Sequence, residues 1–175
     1  MFLHPQKILD QSYVGEGMSV ADIGCGSGHL ILPLADKVGS YGKVYAVDVH
    51  QDLLAKIRKE ALRHKYNNVT VIACDAEKLG ATGLHDHSLD RIFLTNVLFQ
   101  FEHKEGAVAE CKRILKKNGR VVVVDWTDSF NNLGPHKDHV ATKAMAVKLF
   151  SSHGFKVDRE IDAGEHHYGL VLHHE

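Results

Sequence analysis

Short runs rich in Val, Ile and Leu recur along the chain at residues 20–24, 44–48, 69–74, 91–95, 120–126, 156–161 and 168–173. Each is too short for a stable helix and apolar enough to be buried on both faces of a sheet. Between them, apolar residues recur at helical spacing over 29–38, 51–65, 104–117 and 137–153. Strand and helix alternate, which predicts an α/β fold: a doubly wound, mostly parallel sheet whose right-handed crossovers place helices on both faces. Only DAGEHH separates the last two runs. That leaves no room for a helix, so the pair reads as an antiparallel hairpin.

The segment VADIGCGSGH, from Val20 to His29, carries the most chemical information. A buried strand runs into glycines at Gly24, Gly26 and Gly28, and an apolar segment of helical spacing follows. This order lets a ligand approach the backbone and face the free N–H groups of a helix start. A dinucleotide fingerprint would place its third glycine one position later, at His29. The observed pattern is GxGxG, preceded by Asp22. Asp48 closes the next apolar run about 20 residues beyond Gly28, where a ribose-binding carboxylate is expected for either kind of nucleotide cofactor.

Five motifs in register, VADIGCGSGHL, YAVDV with Asp48, ACDAEKL with Asp75, DHSLDRIFLTNVLFQF and ILKKNGRVVVVDW, resemble the class I S-adenosylmethionine-dependent methyltransferases. Among these the chain is similar to the small ubiquinone/menaquinone-biosynthesis type, the methyltransferase type 11-like members. The resemblance covers roughly residues 5–173. It implies a Rossmann-like, seven-stranded sheet of order 3-2-1-4-5-7-6, with strand seven antiparallel. It also implies S-adenosylmethionine as methyl donor, S-adenosylhomocysteine as product and a small-molecule acceptor.

Residue by residue, the resemblance assigns the methionine half of the cofactor to Gly24, Cys25, Gly26, Gly28 and His29, with Asp22 holding its ammonium group. It gives the ribose to Asp48 and the adenine to Asp75 and Ala76, with Val49 and Leu53 as an apolar slot. Asn96 and Val97 line the methionine side. Phe99, Phe101 and Trp126 are candidate walls of an acceptor pocket, against the competing reading as core. His136 and His139 are candidate bases, against the reading as exposed loop histidines. Many relatives carry a histidine near Phe99 or Gln100, and this chain does not. The first dozen residues, including His4, Pro5 and Gln6, read as a short helix closing over the cofactor. Methyl transfer itself asks mainly for in-line alignment and exclusion of water, because a sulfonium is already activated.

Composition narrows the picture further. The 175 residues suit one domain, 1–175, with a single core. A net charge of −1 gives no electrostatic reason for nucleic-acid binding. The fourteen histidines would turn the chain positive on mild acidification. No stretch approaches the ~20 apolar residues of a membrane span. The expectation is a cytoplasmic protein, monomer or homodimer, with no membrane span. Three separated cysteines, Cys25, Cys74 and Cys111, argue against a disulfide framework. Cys25 lies near a helix start that could lower its pKa. Paired histidines at 166–167 and 173–174 point to opposite faces of a strand, so no metal site is expected. Two alternatives stay open: a Rossmann-type NAD(P)-dependent oxidoreductase, and a catalytically idle S-adenosylmethionine-binding protein.

Overall fold

Residues 3–129 and 134–174 are described in the computed structural model. The chain runs α1 (Pro5–Gln11), β1 (Ser19–Ile23), α2 (Ile31–Val38), β2 (Lys43–Asp48), α3 (Gln51–Arg63), β3 (Val69–Ala73) and β4 (Leu89–Thr95). It continues with α4 (Lys104–Ile114), β5 (Leu115–Trp126), a 3-10 turn (Lys137–His139), α5 (Lys143–Ser152), β6 (Phe155–Ile161) and β7 (His167–His174). The seven strands form one sheet in the order β3-β2-β1-β4-β5-β7-β6. β1 to β5 are mutually parallel, and β7 runs antiparallel to both neighbours.

Alternation along the central strands explains the two layers. On β5, Val121 and Val123 point into one core with Val108, Cys111 and Ile114 of α4 and Ala146 and Phe150 of α5. Val122 and Val124 point into the other, with Ile8 and Leu9 of α1, Leu34 and Val38 of α2, and Leu54 and Ile57 of α3. A strand covered on both faces has no polar side, hence the uninterrupted valines. Each buried aliphatic side chain contributes roughly 1.5–3 kcal/mol relative to exposure.

Two predicted helices end elsewhere, for identifiable reasons. The helical pattern over 104–117 stops at Ile114, and Leu115 already pairs with Leu89 in the sheet. The last helical carbonyls are taken from outside: His87 N–H donates to Arg113 and Ser88 N–H to Ile114. The pattern over 137–153 breaks at Val140–Ala141, where the Tyr168 hydroxyl donates to the Ala141 carbonyl at 2.8 Å. α5 then restarts with the Thr142 hydroxyl accepting from Met145 N–H, an N-cap.

The N-terminal helix forms, and none of its residues lines the cleft at the strand ends. It is fastened to the β6–β7 connection, with Lys7 on Asp162 at 2.5 Å and the Gln11 amide donating to the Asp162 carbonyl and accepting its N–H. Arg159 lies 4.1 Å over the Tyr13 ring at the same junction.

Candidate functional site

Every strand that carries a candidate residue ends at the same edge of the sheet, where the order reverses between β1 and β4. There β1 hands over to the glycine turn. Gly24 has φ +71°, and a Cβ on it would sit 2.2 Å from the Val97 side chain. Gly28 has φ +80°, with Ile57 at 2.7 Å from the same imagined atom. These two glycines are demanded by packing. Gly26 differs: it has φ +52° and nothing within 4 Å of where its Cβ would lie. It keeps open space beside the backbone, as close approach of a ligand requires.

Asp48, at the end of β2, is only 7% exposed and is held on three sides. Gly26 N–H donates to Oδ2 at 2.8 Å, His50 N–H to Oδ1 at 2.9 Å, and His50 Nδ1 lies 2.8 Å from Oδ1. Burial alone would raise its pKa, but the donated N–H groups of His50 and Gly26 outweigh it and hold the carboxyl below its usual range. Asp22, on β1, is the counterpart. It is 3% exposed, its Oδ1 has no hydrogen-bond partner, and burial followed by the charge of Asp48 pushes its pKa up to about 7.

A cleft of about 310 Å³ opens between these ends, lined by Gly24, Gly26, Asp48, Val49, Leu53, Asp75, Ala76 and Val97 among others. With Phe101, nine of the sequence candidates therefore converge on one cavity, of the size of a small-molecule site. Asp75 is turned by its own backbone, accepting Glu77 N–H at 3.1 Å, and is paired with Lys78 at 3.3 Å.

Ile23 and Val47 add the strand ends beneath the same cleft, and His50, Cys74, Glu77, Gln100 and Phe101 complete its lining. Their sequence signal is slight. His50 neighbours Asp48 and Cys74 neighbours Asp75, yet only the folded turn shows which way each faces. Phe101, a candidate pocket wall in the sequence, lines this cleft.

The other candidates do not line the cleft. His29 is exposed. Asn96 adopts a left-handed φ of 54° while its N–H donates to Val124 at 2.8 Å. Cys25 is buried, and its environment reverses the expectation for a reactive thiol. Burial, then the charges of Asp22 and Asp48, push its pKa up rather than down. Phe99 N–H donates at 3.3 Å to Asp125, a buried carboxyl at the end of β5 that burial pushes up to about 6. Trp126 is 9% exposed, packs beneath Gly134 and lies 4.4 Å from the His167 ring. His136 and His139 are exposed on the 3-10 turn, their rings edge-to-face at 6.3 Å. Among the described residues no cluster of three His, Cys, Asp or Glu could hold a metal, and no helix is long and apolar enough to cross a membrane.

The sheet order, the reversed seventh strand and a glycine turn locked to the carboxylate ending β2 define the architecture of the class I S-adenosylmethionine-dependent methyltransferases. Comparison with known proteins agrees. A family model described as a methyltransferase domain matches residues 15–163. Aklanonic acid methyltransferase DauC of Streptomyces sp. (strain C5) is 32% identical over 116 residues, covering 66% of this chain and 51% of that protein. The ubiquinone/menaquinone biosynthesis C-methyltransferase UbiE of Bordetella avium is 30% identical over 130 residues, covering 74% and 49%. A solved S-adenosylmethionine-dependent methyltransferase from Aquifex aeolicus superposes with a TM-score of 0.88 at 26% identity, covering 98% of this chain and 89% of that one. The chain belongs to the methyltransferase domain family, within the class I S-adenosylmethionine-dependent group of the UbiE type. It spans about half the length of these two curated relatives.

Proposed function

We propose that this chain transfers the methyl group of S-adenosylmethionine to a small-molecule acceptor by in-line displacement, leaving S-adenosylhomocysteine. The observation that carries the reading is the pairing of Gly26 with Asp48: open space over a left-handed glycine, and beside it a carboxylate held ionised by backbone donors. A ribose diol needs such an acceptor pair. The orphaned Oδ1 of Asp22 fits an ammonium donor reaching it directly or through water.

The remaining residues take roles consistent with that fit. Gly26 gives the methionine half its approach to the backbone, in a turn that Gly24 and Gly28 allow to pack, and Val97 and Asn96 border it. Val49, Leu53 and Phe101 form the apolar slot for adenine, with Asp75 accepting its amine and the Ala76 N–H donating to the ring. The cofactor supplies an activated methyl and a thioether leaving group. The chain's own work is to bind, align and exclude water. His29 in place of a third spaced glycine speaks against a pyrophosphate-bearing nicotinamide cofactor.

Incubation of the purified protein with methyl-labelled S-adenosylmethionine and a panel of small hydroxylated, thiol and amine acceptors tests this reading. Label should appear in one acceptor class and S-adenosylhomocysteine should accumulate with it. Tight cofactor binding without transfer to any acceptor would favour an idle binder instead.

A further inference from the structure

An ionised carboxylate accepts about four hydrogen bonds, two on each oxygen. On Asp48 three of these places are filled. Oδ2 accepts Gly26 N–H at 2.8 Å, while Oδ1 accepts His50 N–H at 2.9 Å and the His50 ring at Nδ1, 2.8 Å away. The carboxylate only accepts, so Nδ1 carries the ring proton. One residue, His50, therefore saturates Oδ1, and Oδ2 keeps a single place.

A vicinal diol brings two hydroxyls and needs a place on each oxygen. One donor must leave Oδ1 for it. The backbone donors are fixed by their surroundings: Gly26 lies in a turn pinned to β2, where Gly24 N–H and Cys25 N–H donate to the Val47 carbonyl at 2.8 and 3.1 Å. His50 N–H sits at the start of α3, whose first turn is closed by Leu54 N–H on the His50 carbonyl at 3.2 Å. The ring is not fixed in this way. It lines the cleft, its side chain is 63% exposed, and rotation about its Cα–Cβ bond carries it off the carboxylate without moving the backbone.

We propose that His50 sets the affinity and selectivity of the cleft for a ribose: its imidazole competes with the vicinal diol for Oδ1 of Asp48 and swings away when the diol binds. This rests on the reading above, in which the cleft takes S-adenosylmethionine with its ribose on Asp48. The hydrogen bond that the ring gives up offsets part of what the diol gains. A ligand whose one ribose hydroxyl reaches Oδ2 uses the remaining place there and leaves the ring where it is. His50→Ala removes the competitor and keeps both backbone donors on the carboxylate.

Calorimetric titration of the full chain and of His50→Ala with S-adenosylhomocysteine, and with its two monodeoxyribose analogues, reads this competition. His50→Ala should bind S-adenosylhomocysteine about 3- to 10-fold more tightly than wild type, and at least one monodeoxy analogue within about twofold of wild type. In wild type 15N-labelled at histidine, the imidazole signal that is missing from His50→Ala should report the Nδ1–H tautomer before titration. It should lose that signature on saturation with S-adenosylhomocysteine. Weaker or unchanged binding of S-adenosylhomocysteine by His50→Ala, an equal gain for both monodeoxy analogues, or an Nδ1–H signature that persists at saturation would overturn the proposal. A wild type that binds no S-adenosylhomocysteine, or an Asp48→Ala variant that binds it equally well, would instead refute the reading beneath it, and the same titrations separate the two.

Discussion

The backbone N–H of Gly26 donates to the Asp48 carboxylate at 2.8 Å, so the turn after β1 and the end of β2 act as one rigid unit across the cleft. Neither residue has its full meaning alone. The glycine offers open space, and the carboxylate is preorganised by the donor the glycine supplies.

Asp48→Ala should therefore lower affinity for S-adenosylmethionine and S-adenosylhomocysteine by about 10- to 100-fold, the equivalent of losing charged hydrogen bonds of roughly 1.5–3 kcal/mol. Calorimetric titration checks this. The fold should survive, because water in the open cleft can serve the N–H groups of Gly26 and His50.

The three glycines should separate into two kinds under substitution by alanine. Gly24→Ala and Gly28→Ala drive a methyl into Val97 or Ile57 and should cost melting temperature first. Gly26→Ala meets open space. It should lose about 1–2 kcal/mol to its left-handed backbone and at least about tenfold in cofactor affinity. Thermal unfolding and titration on the three variants give the comparison.

Asp22 makes stability pH-dependent in a stated direction. Burial, then the Asp48 charge, raises its carboxyl from 3.8 to about 7 in the folded chain. The stability linked to its protonated form is fully present below pH 3.8 and is lost as pH rises toward 7. Asp22→Asn should thus raise the melting temperature of the ligand-free protein near pH ~8, leave it nearly unchanged near pH ~4, and weaken cofactor binding at the higher pH. Melting curves of both proteins across that range decide it.

Glu110, fully buried on α4, holds the loop that follows the Asp75 turn. Gly80 N–H and the Thr82 hydroxyl donate to it at 2.7 and 2.5 Å, and Arg113 pairs with it at 2.7 Å. Burial opposes the charge, but these donors prevail and hold its pKa down to about 2. Its contribution is present above pH 4.5 and is lost as pH falls toward 2. Glu110→Ala deprives the buried Thr82 hydroxyl of its acceptor, while Arg113 keeps Asp86 and the Leu84 carbonyl, and should cost about 1–3 kcal/mol in denaturant unfolding.

Much of this was legible in the chain because it depends on period and spacing. Valines without alternation announced strands buried on both faces, and DAGEHH was too short for anything but a hairpin. Asp48 was legible as the residue closing a strand beside a glycine turn. What escaped depends on contacts between distant segments. The end of α4 is set by His87 and Ser88 taking its carbonyls, and the break before α5 by the Tyr168 hydroxyl on Ala141. Gly106 must be small because a Cβ there would lie 2.0 Å from the Glu77 carbonyl, and nothing local to Gly106 signals that. The orientation of His50 and Phe101 toward the cleft, and the depth at which Cys25 is buried, likewise follow from packing rather than from motif.

The most direct test of the central claim, that the cleft between Gly26 and Asp48 seats S-adenosylmethionine, is thermal unfolding of the wild type with S-adenosylmethionine, S-adenosylhomocysteine, NAD or NADP. At about 100 times its dissociation constant, a ligand adds roughly 2.7 kcal/mol, or about 5 to 10 °C for a chain of this length. The first two ligands should produce that shift in wild type and a much smaller one in Asp48→Ala, with none from the nicotinamide nucleotides. Stabilisation by NAD or NADP alone would contradict the account.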